Sequence, residues 1–126
     1  MSDNNSTTTI DQQTFEQLKT RVICQLYDIG AVKFGKFTLK SGLESPVYID
    51  LRIIPSFPDL FTDLVSLLVF VGEKYGLYRA VNPQNEKLFL CGVPYSALTF
   101  ASVVAAQKSL PSIIVRKEQK TYGTKN

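Results

Sequence analysis

The chain has 126 residues, with 14 Lys and Arg against 11 Asp and Glu, no histidine, and 44% apolar residues. This is the length of one domain with enough apolar content for a packed core, which excludes fibrous, disordered and disulfide-rich classes. No apolar run approaches the roughly 20 residues of a membrane span, and the polar start carries no signal-peptide pattern, so the chain reads as cytoplasmic with no membrane partner.

The surplus of positive charge is local. Residues 116–126 hold Arg116, Lys117, Lys120 and Lys125 against Glu118 alone, and the rest of the chain is neutral. A neutral body with a basic end does not suit a general nucleic-acid binder. It suits a local anion site or a solvated tail. Cys24 and Cys91 form no Cys-x-x-Cys pair, and without histidine both zinc sites and Cys–His catalysis are excluded. Both thiols are expected to be reduced and mostly buried.

Residues 1–13 are expected to be disordered or loosely attached, with the domain occupying residues 14–126. Phe15, Leu18, Val22, Ile23, Leu26 and Tyr27 recur at helical spacing. Thr14 with Gln17 fits a capping box, and Gly30 a stop. Val32 and Phe34, then Phe37 and Leu39, alternate with polar residues around Gly35 and Lys36, which predicts a hairpin or a bulged strand pair. After the break at Ser41 and Gly42, Val47, Ile49 and Leu51 alternate with Tyr48, Asp50 and Arg52 along a further strand.

Ser56 is placed to cap a second helix, with Pro58 in its first turn and a stripe of Leu60, Phe61, Leu64, Leu67, Leu68, Val71 and Tyr75 before Gly76. Residues 82–86 read as a polar loop. Residues 87–93 are nearly all apolar, as in a strand buried on both faces. A small-residue helix over 97–108 and a strand over 112–116 complete a βαβ unit, so the fold class is α/β with a mainly parallel sheet. Residues beyond Arg116 read as a polar, mobile loop.

Three segments can carry chemistry. Lys40 follows Phe37, Thr38 and Leu39 and precedes Ser41 and Gly42, so its ammonium stands at a strand end beside a turn. Tyr48 and Asp50 share one face of the next strand, where an aromatic ring beside polar groups suits a flat heterocycle. Alternatively, this is a surface lysine on an ordinary strand. Cys91, Gly92, Val93, Pro94, Tyr95, Ser96 and Ala97 run from strand to helix, the place where α/β sheets bind ligands and free N–H groups attract phosphate. The motif lacks full Gly-rich spacing and also fits a plain turn. Arg116, Lys117 and Lys120, with Tyr122 and Gly123, could close over a diphosphate or form a solvated tail.

Taken in order and at these intervals, the three segments resemble the orotate phosphoribosyltransferase family, in the form of the N-terminal domain of bifunctional eukaryotic UMP synthases. The likeness covers roughly residues 15–126 and includes Leu26, Tyr27, Asp28, Ile29 and Gly30 before the first strand. It implies a type I phosphoribosyltransferase-like sheet with an N-terminal helix and β-hairpin hood, the C-terminal part of the fold being missing. It implies transfer of ribose 5-phosphate from 5-phosphoribosyl 1-diphosphate to orotate, with Mg²⁺ carried by the diphosphate.

Residue by residue, Lys40 matches the family lysine near orotate and diphosphate, and Tyr48 and Ile49 the pair at the orotate ring. Tyr95 and Ser96 fall among the substrate-binding positions, Ser96 where bacterial members carry a lysine. Arg116, Lys117 and Lys120 match the catalytic loop cations, and Tyr122 stands where many bacterial members carry histidine. In the family that loop serves the neighbouring subunit, which implies a homodimer. Nothing in these residues matches the family's strand with two adjacent acidic residues and a Thr/Ser/Gly-rich turn, which holds the ribose and its 5-phosphate. The chain alone is therefore expected to be inactive. The alternative is a non-catalytic truncated isoform that dimerises with the full-length enzyme and modulates it.

Overall fold

A computed structural model describes residues 11–78 and 88–116. The chain divides into two compact units, one up to Tyr75 and one from Gly76.

The first unit begins with helix α1, Gln12–Asp28. Its N-cap is Asp11, whose carboxylate accepts the Thr14 N–H at 2.7 Å. The expected Thr14–Gln17 box is thus replaced by an Asp cap of the same three-residue reach, and the helix starts earlier. The stop at Gly30 is as expected. Gly30, at φ 70°, donates to Tyr27 C=O and Ala31 donates to Leu26 C=O, which is a Schellman cap. Beside α1 lies α2, Pro58–Lys74. Phe15 stacks on Phe70 with ring centroids 4.4 Å apart, and Arg21 donates twice to Asp63 at 3.0 and 2.7 Å. The two pairs run in opposite chain directions, so the helices are antiparallel.

Val22 of α1 and Leu60, Val65 and Leu67 of α2 are buried, and Val65 is fully so. Burial of such a valine stabilises by about 2 kcal/mol. The expected stripe on α2 is corrected in two places, since Leu68 and Tyr75 are exposed while Val65 is not. The helix is apolar around most of its circumference, so spacing alone does not fix its buried face. Ser56 does not cap it. That residue ends a 3₁₀ helix, Leu51–Ser56, and α2 starts on Phe57 with Pro58 at its first position and no side-chain cap. The strand expected to reach Arg52 accordingly ends at Ile49.

Strands β1, Val32–Thr38, and β2, Glu44–Ile49, form an antiparallel hairpin. Gly35 and Lys36 are a bulge inside one strand rather than a turn between two. Phe34 pairs with Val47 and Phe37 with Ser45, leaving Gly35 and Lys36 opposite Pro46. Proline has no N–H for the ladder, so the pairing gap falls there.

The second unit is a βαβ unit. Strand β3, Leu90–Cys91, pairs in parallel with β4, Ser112–Ile113, and helix α3, Ala97–Gln107, connects them. Both strands are shorter than expected, and β3 is not buried on both faces: Leu90 is half-buried and Cys91 exposed. Ile113, Ile114 and Val115 are exposed too. Among the described residues this sheet has two strands, so an apolar run lacks the neighbours that would bury it. Phe100, Val104 and Ala105 of α3 are buried. The cysteine expectation is corrected as well, because Cys24 and Cys91 are both exposed. Val22 takes the buried position on α1, and one side of β3 is open.

Gly92 joins β3 to the turn before α3. A Cβ there would lie 2.6 Å from Ala97 O and 2.7 Å from Leu98 Cα, both backbone atoms. Gly92→Ala is therefore expected to destabilise the chain by about 2 kcal/mol, read as a lower urea midpoint. At the other end of α3, Ser109 occupies the Schellman position at φ 52°, with Leu110 donating to Ala105 C=O at 2.9 Å. A side chain in the left-handed region costs roughly 1–2 kcal/mol, so Ser109→Gly is expected to raise the same midpoint. An unchanged or lower midpoint would show that the serine is not held there in solution.

Candidate functional site

The hairpin loop is short and closed. Gly42 N–H donates to Leu39 C=O at 2.8 Å, and Leu39 N–H to Leu43 C=O at 2.8 Å. This is the form of a three-residue hairpin loop. It holds Lys40 at the tip, exposed to solvent. Tyr48 lies further down β2, four residues or about 13 Å from Glu44 along the strand. The register places Lys33, not Lys40, opposite Tyr48. Ile49 pairs with Val32 and is 59% exposed. Strand alternation puts Tyr48 and Ile49 on opposite faces, so the two do not form one surface.

Around Tyr48 the side chains are connected. Its ring lies 5.5 Å from that of Phe37. Arg52 Nη2 reaches 3.5 Å from the Tyr48 hydroxyl oxygen, the long limit of a hydrogen bond. The same guanidinium forks onto Asp50, with Nε donating to Oδ1 at 2.7 Å and Nη2 to Oδ2 at 2.6 Å, while the Arg52 backbone N–H also donates to Oδ1 at 3.0 Å. Asp50 in turn donates its own N–H to Ala31 C=O at 2.7 Å, which ties the end of β2 to the start of β1. Asp50 lies beyond the end of β2 as the cap of the 3₁₀ helix, so it does not share a strand face with Tyr48 as expected, and Arg52, which touches both, connects them instead.

These contacts set the charge. The Arg52 side chain, and then its backbone N–H, hold the Asp50 carboxyl at about 2, well below the usual 3.8. Asp50 reciprocally raises the Arg52 guanidinium. Neither Arg52 nor Lys33 was singled out as a site residue from the sequence. The available signal was an Asp two residues before an Arg at the start of a turn, where the carboxylate caps the turn and grips the arginine together.

In the second unit, Tyr95 and Ser96 stand between β3 and α3. Tyr95 is 67% exposed, and the Pro94–Tyr95 peptide bond is cis. Ser96 occupies the N-cap position without making a side-chain cap bond. The helix start is therefore left without a side-chain acceptor, as a phosphate-binding turn requires. Arg116 is exposed at the end of the described residues. Lys117, Lys120 and Tyr122 lie outside them. A separate pocket of about 270 Å³ lies at the end of α1 and the start of α2, lined by Gln25, Asp28, Ile29, Phe57 and Leu60 among others. It contains none of the candidate residues. Among the described residues no cluster of His, Cys, Asp and Glu is placed to hold a metal ion, and no helix is long and apolar enough to cross a membrane.

No protein-family model matches the chain. It is 49% identical over 120 residues to the uridine 5'-monophosphate synthase of Naegleria gruberi, covering 95% of this chain and 22% of that protein. It is 36% identical over 105 residues to the orotate phosphoribosyltransferase of Chlamydia caviae, covering 83% of this chain and 46% of that one. The crystal structure of orotate phosphoribosyltransferase from Aeropyrum pernix superposes with a TM-score of 0.62 at 32% identity, covering 78% of this chain and 54% of that one. The chain belongs to the orotate phosphoribosyltransferase family. Its described elements are part of the type I phosphoribosyltransferase fold, and the chain spans about half or less of the length of these relatives.

Around Tyr48 an aromatic ring, two cationic residues and a carboxylate converge. Arg52 makes the arrangement testable. Since the folded-state value of Asp50 is depressed, its stabilising contribution is present above 3.8 and is lost as pH falls toward about 2. Carboxyl-detected NMR titration is expected to give a midpoint near 2 for Asp50. Arg52→Ala is expected to bring it back toward 3.8. A midpoint near 3.8 in the unaltered chain would show that the fork is not held in solution.

Proposed function

We propose that this protein is an orotate phosphoribosyltransferase of UMP synthesis, converting orotate and 5-phosphoribosyl 1-diphosphate to orotidine 5'-phosphate and diphosphate in the cytoplasm. The observation that carries this reading is the 49% identity with a UMP synthase over 120 residues, 95% of the chain.

The chemistry assigns roles. Orotate N1 attacks the anomeric carbon of the ribose as the bond to the diphosphate oxygen breaks. Positive charge builds on the ribose and negative charge on the leaving diphosphate. Tyr48 offers a ring face to the pyrimidine, and Lys40 at the hairpin tip offers a mobile ammonium to orotate and diphosphate. Tyr95, Ser96 and the uncapped start of α3 offer contacts to the diphosphate, with Tyr122 as a further substrate contact. Arg116, Lys117 and Lys120 neutralise the departing diphosphate, an electrostatic mode of catalysis. Mg²⁺ enters as part of the diphosphate substrate. In a homodimer those cations serve the partner's site, and closure of their segment keeps water from the activated ribose.

Because the ribose and 5-phosphate need binding groups that these residues do not supply, the 126-residue polypeptide by itself is expected to turn over little. In the full-length gene product, Lys117→Ala is expected to lower kcat by about a hundredfold, the scale for losing one group that stabilises developing negative charge. Lys40→Ala is expected to lower kcat/KM. Unchanged orotidine 5'-phosphate formation in both variants would overturn this reading.

A further inference from the structure

Two cationic residues neighbour Tyr48. Lys33 is its direct partner on β1, and directly opposed residues hold their Cβ atoms about 5 Å apart. Arg52 reaches the phenol oxygen. Lys33 makes no ion pair with any described residue. Asp50 engages Nε and one Nη of Arg52, which fixes the guanidinium plane, while Nη1 has no hydrogen bond to another described residue and the side chain is 66% exposed. Two cationic residues, one across the ladder and one at the phenol oxygen, and one carboxylate thus neighbour Tyr48, a local excess of +1 in a setting open to solvent. A neutral flat ligand would gain only ring contact there. A flat ligand carrying a carboxylate at its edge would gain charge as well.

We propose that Lys33 and Arg52 are specificity-determining residues that select a carboxylated pyrimidine over an uncharged one, with Tyr48 as the stacking face and Asp50 as the group that orients Arg52. The proposal rests on the orotate reading above and adds to it the means of telling orotate from uracil. Lys40 is separated from this ring along the hairpin, which leaves the two cations nearer Tyr48 to read the ring's substituent.

The test is a pair of NMR titrations of the 126-residue chain, one with orotate and one with uracil, following the amides of β1, β2 and the 3₁₀ helix. Orotate is expected to bind more tightly than uracil. Lys33→Gln and Arg52→Gln are each expected to weaken orotate about fivefold, the scale of one exposed charge pair, and to leave uracil unchanged. Asp50→Asn, which keeps an acceptor for the Arg52 N–H but removes the opposing charge, is expected to tighten orotate. Amides of α1 and α2 serve as the control for folding. Equal weakening of both ligands, or an undiminished preference for orotate in the Lys33→Gln/Arg52→Gln double variant, would overturn this proposal and leave the orotate reading standing. If neither ligand gave saturable shifts near Tyr48, this proposal would fall, while the orotate reading would stand or fall on orotidine 5'-phosphate formation.

Discussion

Pro46 cannot donate to a strand ladder, and the hairpin is arranged around that gap. The bulge at Gly35 and Lys36 falls opposite it and changes the pairing by one residue between the two halves of β1. Carried back from Thr38 and Glu44 without the bulge, the register would set Phe34 against Tyr48 and Lys33 against Ile49. A slip of one residue exchanges the faces of a strand. The extra residue is what sets a lysine beside the tyrosine ring and returns Val32, Phe34, Val47 and Ile49 to a common side. One missing hydrogen-bond donor in β2 thus determines the charge around a side chain two residues away.

Local chemistry was easier to read than pairing. The three helices follow from apolar spacing and from terminators that act within a turn of themselves, such as Gly30, Pro58 and Gly76. Where the reading failed locally, two signals competed. Asp11 and Thr14 are both good caps, and the sequence does not say which will hold the first turn. Leu68 and Val65 are both apolar, and only the packing partner decides which is buried. The strands were overextended because an apolar run marks potential for burial, whereas strand length depends on a neighbour far away in sequence.

The same distinction applies to the candidate site. Lys40, Tyr48, Tyr95 and Ser96 were found through their own turn and strand contexts, and through likeness to a family. Lys33 was not, because nothing near it in sequence points to Tyr48. Arg52 was noted only as part of a polar face, since its grip on Asp50 needs the chain to leave the extended form after Ile49 and enter a 3₁₀ turn. Arg116 is legible from local charge and from the same family likeness, and Lys117, Lys120 and Tyr122 lie outside the described residues.

The exposed end of the parallel sheet bears on how the polypeptide behaves in a tube. Ile113, Ile114 and Val115 offer β-branched side chains, and the interval from Ser112 offers main-chain donors with no charge until Arg116. Strand edges of proteins that remain monomeric are usually interrupted by lysine, proline or a bulge. Pro111 guards only the entrance to this one. The interval before Arg116 is a template for strand addition, so solubility at high concentration rests on whichever surface covers β4.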